Sequence, residues 1–119
     1  MHSYRDLIVW QRSMDLVVEV YRLIKLLPKE ETYALSDQMR RSVVSIPSNI
    51  AEGYGRSSTR EYVRFLSIAR GSKLELETQL LICVRLGYMR EIEIEPSMQY
   101  CNEIGKMLNA LIRKILSTD

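Results

Sequence analysis

Arg56, Arg60 and Arg64 recur at steps of four, and theirs is the pattern in this chain best suited to a chemical task. Steps of four place side chains on one helical face or on its approach. A guanidinium presents a rigid fork of donors that fits phosphate oxygens in pairs, so a row of them could hold a polyanion. Arg40 and Arg41 supply two more from an earlier segment. The formal net charge of +2 conceals an asymmetry. Residues 40–73 carry seven basic residues against Glu52 and Glu61, whereas residues 74–103 carry two against six glutamates. Two readings compete. The basic face could contact nucleic acid. It could instead meet the acidic segment of a neighbouring copy, including Glu91, Glu93 and Glu95, in a head-to-tail ring. Tyr54 and Tyr62 flank the arginines, but tyrosines at helix ends are more often packing than a platform for stacked bases.

Other chemistry is sparse. His2 is the only histidine and lies at a terminus expected to fray, so neither a histidine triad nor a histidine metal site is expected. Cys83 and Cys101 lack metal-binding spacing; on the seams of neighbouring helices they could approach one another, and they read as buried, reduced thiols. Glu52 has Arg56 four residues on and Arg41 upstream on roughly the same stripe, which suits a structural ion pair. A catalytic acid there would need a second carboxylate, and none is placed to help. Glu75 and Glu77 are two apart and do not share a helical face. Gly53-Tyr54-Gly55 lacks the preceding strand and the Gly-Lys-Ser/Thr ending of a phosphate loop, so it reads as a turn. The expectation is a protein without catalytic residues, metal or cofactor.

The elements that must position these residues are helical. A chain of 119 residues, 46% hydrophobic and 27% charged, reads as one domain, residues 1–119, with a real core. No apolar run reaches the length of a membrane span, and the first residues lack a signal-peptide layout, so the cytoplasm is the expected compartment. Helix one is predicted over 6–27, with Leu7, Trp10, Met14, Val17, Tyr21 and Ile24 as its seam and Leu16, Val20, Leu23 and Leu27 as a second stripe. If Trp10 is buried on that seam, Trp10→Ala should cost about 3–5 kcal/mol. Helix two is predicted from an N-cap at Ser36 to Gly53. Pro47 lies in its middle, at a cost of roughly 3 kcal/mol that neighbours must offset. Ser45, Asn49 and Glu52 form a polar stripe beside apolar Val43, Ile46 and Ile50, which suggests an internal hydrogen-bond network or a surface met by a partner. Helix three should open with a Ser58 to Glu61 capping box and end at Gly87. Helix four should start at Pro96 and carry Cys101, Ile104, Leu108, Leu111 and Ile115 inward, leaving the alternating Glu91-Ile92-Glu93-Ile94-Glu95 as a loop. Gly71 and Gly105 could admit close helix contact. Four helices with short connections predict an all-α, antiparallel up-down-up-down bundle. The wide apolar stripes on helices one and three suggest cover by another chain, and so a homo-oligomer.

The stretch Ser45-Ile46-Pro47-Ser48-Asn49-Ile50-Ala51-Glu52-Gly53-Tyr54-Gly55-Arg56 resembles the signature of a bacterial four-helix-bundle family encoded in intervening sequences of large-subunit ribosomal RNA genes. Within it Ser45, Pro47, Asn49, Glu52, Gly53, Tyr54 and Gly55 carry the likeness. Tyr4-Arg5-Asp6-Leu7-Ile8-Val9-Trp10-Gln11, Gln38-Met39-Arg40-Arg41-Ser42 and Phe65-Leu66-Ser67-Ile68-Ala69-Arg70-Gly71-Ser72, with Leu76-Glu77-Thr78-Gln79-Leu80, extend it over nearly the whole chain. The resemblance implies a four-helix bundle and a homopentameric barrel with a central opening. A related bundle, the accessory variability protein of diversity-generating retroelements, works with a reverse transcriptase, which implies RNA or a nucleic-acid-processing protein as partner. The resulting expectation is a non-catalytic oligomeric accessory protein that contacts RNA through Arg40, Arg41, Arg56, Arg60 and Arg64. The competing expectation is a protein-binding scaffold whose charged faces are subunit contacts.

Overall fold

The computed structural model describes residues 3–118, so His2 lies outside the described residues. Four helices make up most of the chain: α1 (Ile8–Ile24), α2 (Leu35–Tyr54), α3 (Thr59–Arg85) and α4 (Glu91–Ser117). Single 3-10 turns at Tyr4–Asp6 and Lys29–Glu31 lead into α1 and α2, and no strand occurs among the described residues. Each helix packs on two others, in the cyclic order α1, α2, α3, α4. Pairs across the helices set their directions. Met39 meets Cys83, Ser42 meets Gln79, Ser45 meets Ser72 and Gly53 meets Phe65, so α2 and α3 run antiparallel. Arg70 with Asn109 and Lys73 with Gly105 do the same for α3 and α4. Leu7 and Val9 lie beside Met107 and Leu111, while Leu23 and Leu26 lie beside Ile92 and Pro96, so α4 and α1 are also antiparallel. The bundle measures 47 × 24 × 20 Å.

The core is built from the helical periods. Leu16 and Val20 of α1, Met39, Val43, Ile46 and Ile50 of α2, Leu66, Leu76, Leu80 and Cys83 of α3, and Cys101, Ile104 and Leu108 of α4 are fully buried. On α1 the second stripe rather than the expected seam is centred on the core, although Leu7 and Ile24 of that seam are buried as well. The inward line runs through Val9, Ser13, Leu16, Val20 and Leu23, and Met14, Val18 and Tyr21 are exposed. Trp10 is half-buried at the core's edge, its ring edge-on to Tyr4 at 5.3 Å. Both stripes are apolar, and only the positions of α2 and α4 decide which faces inward.

Helix boundaries differ in instructive ways. Ser36 is not the cap of α2; it is buried within the first turn. The acceptor for the Leu35 amide is instead the Glu31 carboxylate at 3.3 Å, which also receives the Tyr88 hydroxyl at 2.8 Å. One carboxylate thus joins the start of α2 to the α3–α4 turn. At α3 the Ser58 hydroxyl accepts the Glu61 amide at 3.1 Å, as expected of a cap. The Glu61 side chain does not return to Ser58 but turns to Arg64 at 2.9 Å. Gly87 ends α3 with φ +80, the left-handed conformation that favours glycine. The largest departure is α4. The alternating acidic stretch is its first turn, and Pro96 lies inside the helix. The Glu93 carboxylate accepts the Arg90 amide at 2.8 Å and so caps the new start. Pro96 falls in the second turn, where its missing donor frees one carbonyl at the solvent-exposed side. Gly71 has open space about its Cα, whereas a methyl on Gly105 would sit 2.9 Å from the Lys73 ammonium, which pairs with Glu77 at 2.7 Å.

Candidate nucleic-acid interface

Ser45, Asn49 and Gly53 of the signature lie on the α2–α3 seam. The Asn49 amide donates to both the carbonyl and the hydroxyl oxygen of Ser45, each at 2.8 Å, and the Ser45 hydroxyl is 2.8 Å from that of Ser72. Just under one turn before Ser45, Ser42 donates to the buried Gln79 carbonyl oxygen at 2.7 Å. These bonds satisfy polar groups between two apolar layers, where an unpaired group would be costly. Gly53 is buried within the last turn of α2 and is not part of the turn that follows. A Cβ there would lie 2.8 Å from Phe65 Cβ, so only glycine lets the helices approach this closely. Gly55 is the C-cap of α2. Tyr54 and Tyr62 meet edge to face at 6.2 Å, and burial together with Tyr54 raises the Tyr62 pKa. Pro47 is buried and turns toward α1, beside Tyr4, Trp10, Met14 and Val17. Of the polar stripe expected from the sequence, Ser45 and Asn49 form an internal network, whereas Glu52 lies exposed beside Arg56.

The same seam sets the arginines. Gly53 brings Phe65 against the end of α2, and Phe65 collects two guanidiniums. Arg56 lies 4.8 Å and Arg64 4.6 Å from its ring centre. The two charges therefore lie within about 9 Å of each other. Arg56 also reaches Glu52 at 3.4 Å. The hydrogen bond from Arg64, helped by Arg56 and Arg60, lowers the Glu61 pKa, and Glu61 in turn raises that of Arg64. Arg60 is exposed beside them. Arg40 and Arg41 do not join this group. They lie some four turns away along α2, roughly 22 Å at helical rise. There Arg40 donates to the Thr32 carbonyl at 3.2 Å, and Arg41 pairs with Asp37 at 3.2 Å.

The remaining candidates are the two cysteines and Glu52. Cys83 and Cys101 are both buried and free. Burial pushes the Cys83 thiol up to about 11, with Glu31 adding to it, and the Cys101 thiol up to about 12, with Glu77 adding to it. A thiol at such values is protonated near neutrality and a poor nucleophile. Glu52 is exposed and held by Arg56. Sequence reasoning missed Arg5, Arg113 and Lys114. All three are exposed at the end of the bundle that holds Arg56, because antiparallel packing returns α4 and the start of α1 to it. No local pattern could have revealed them.

Fold and site together define a class: an all-α four-helix bundle with a polar-stitched α2–α3 seam and a guanidinium cluster at one end. Within that class the chain belongs to the 23S rRNA-intervening sequence protein family, whose profile matches residues 5–110. It is similar to a crystal structure of a protein with unknown function from the S23 ribosomal protein family of Bacteroides thetaiotaomicron. The two are 30% identical over 87% of this chain and 97% of the other, with a TM-score of 0.80. No curated protein matches the chain.

Proposed function

We propose that this protein is a non-catalytic, self-associating accessory protein of the cytoplasm that binds RNA through Arg56, Arg60 and Arg64. The observation that carries the reading is the convergence of these three arginines at one corner, with two guanidiniums held at Phe65. Side chains held before binding lose less freedom when a phosphate arrives. Self-association is supported by an exposed apolar strip on α1, where Met14, Val18 and Tyr21 are 42%, 72% and 42% exposed. The family resemblance suggests five copies. No helix among the described residues is long and apolar enough to cross a membrane. The test is fluorescence anisotropy with a labelled RNA at several salt concentrations. Arg56→Gln, Arg60→Gln and Arg64→Gln should each weaken binding and flatten the salt dependence by about 0.9 per lost phosphate contact. Unchanged affinity in the triple variant overturns the proposal.

A second reading, a protein-binding scaffold, is favoured by one observation. Arg41, Arg56 and Arg64 already have carboxylate partners within the chain. In that reading the apolar strip is the working surface. A ring that remains assembled and takes up no RNA would favour it.

A further inference from the structure

Resting on the RNA reading above, we infer that the whole basic end of the bundle, with Arg5, Arg113 and Lys114 joining Arg56, Arg60 and Arg64, takes the phosphate backbone of a duplex rather than an unpaired strand. The first observation is charge by end. Those six cations are exposed, and the carboxylates among the described residues beside them are Asp6, Glu52 and Glu61. At the opposite end Glu30, Glu31, Asp37, Glu91, Glu93 and Glu95 offset the cations around Arg40 and Arg41. The molecule is therefore polar along its 47 Å axis, positive where α2 turns into α3.

The second observation is the state of the aromatic rings. A protein that holds single strands combines a basic groove with rings on which bases stack. Here the rings near the basic end are half-buried and engaged. Tyr4 meets Trp10, Tyr54 meets Tyr62, and Phe65 carries two guanidiniums. Tyr33 is 94% exposed but belongs to the opposite end. What this end offers is cations from all four helices or their flanks, spread over a cross-section of 24 × 20 Å. Arg60 and Arg64 are one helical turn apart, about 6 Å along the axis. A broad array of exposed charges without a stacking platform fits two parallel rails of phosphate, which a duplex presents and an unpaired strand does not.

The test titrates the full-length protein with a 5′-labelled RNA hairpin stem of about 20 base pairs, spanning two turns of phosphate rail, and with an unpaired oligouridine of equal charge. A DNA duplex of the stem's sequence is the third probe. Variants are Arg113→Gln with Lys114→Gln and, as the opposite-end control, Lys29→Gln with Arg85→Gln. Melting by circular dichroism checks that each keeps its fold. The expected result is preference for the stem, lost affinity in the Arg113 and Lys114 pair with a salt slope shallower by about 1.8, and no change in the control. Equal uptake of the DNA duplex also supports the inference and assigns recognition to backbone shared by both acids. Three results overturn it. Oligouridine bound as tightly as the stem does so, and leaves the RNA reading standing. Stem binding that survives loss of Arg113 and Lys114 but fails without Arg56, Arg60 and Arg64 does the same. Absence of binding to every probe ends both.

Discussion

Gly53 shows how much a single residue can determine in a bundle of this size. Its missing side chain allows α3 to approach α2 at Phe65, and Phe65 then gathers Arg56 and Arg64. Gly53→Ala should destabilise the protein by about 1–3 kcal/mol, the cost of forcing an extra methyl into a packed contact. Urea unfolding measures it, and an unchanged midpoint would show that the α2–α3 contact relaxes freely. Trp10 illustrates the opposite case. Because it is half-buried at the edge, Trp10→Ala should cost less than the 3–5 kcal/mol of a fully buried aromatic. The two thiols add a pH dependence. The unfolded chain releases their protons near pH 9, whereas the folded chain holds them to about 11 and 12. Above pH 9 the unfolded state binds fewer protons, so stability falls as pH rises through that window and is undiminished below it. Urea midpoints between pH 8 and 11 should decline, and Cys83→Ala with Cys101→Ala should flatten the decline.

Among elements, the α2–α3 pair carries the polar layer that the family signature encodes. Ser42→Ala leaves the buried Gln79 without its donor and should cost about 1–3 kcal/mol. Adding Gln79→Leu should return part of that loss, because the orphaned carbonyl oxygen is gone. A double variant no more stable than the single one would show that the bond matters less than the packing around it. The signature was legible as a polar stripe because Ser45, Asn49 and Glu52 share a helical face. Its partners Ser72 and Gln79 are far away in the chain, so no periodicity within α2 identifies them. The start of α4 departs from the sequence expectation for a related reason. Alternating Glu and Ile looks extended when read alone, yet Glu93 can cap Arg90 and Ile94 can reach the core only if the segment coils.

For the whole molecule, the exposed strip of α1 leads to a direct prediction. Val18 is 72% exposed, so Val18→Glu should leave the subunit's own stability nearly unchanged. If copies associate there, light scattering after size exclusion should show the native particle as an oligomer and the variant as a smaller one. A native monomer would remove the self-association from the proposal.

Helical period, caps and composition determined four amphipathic segments, the Ser58 and Gly87 boundaries, the inward face of α4 and the all-α bundle. These are local properties, set by side-chain spacing of 3.6 residues and by backbone donors near each helix end. Tertiary structure alone decided which of two apolar stripes of α1 is inside, since spacing gives an angle around a helix but not where its neighbours stand. It also separated Arg40 and Arg41 from Arg56, Arg60 and Arg64 by the length of α2. The same antiparallel packing brought Arg5, Arg113 and Lys114 to the basic end, because charge proximity follows distance in space and these residues are distant in the chain.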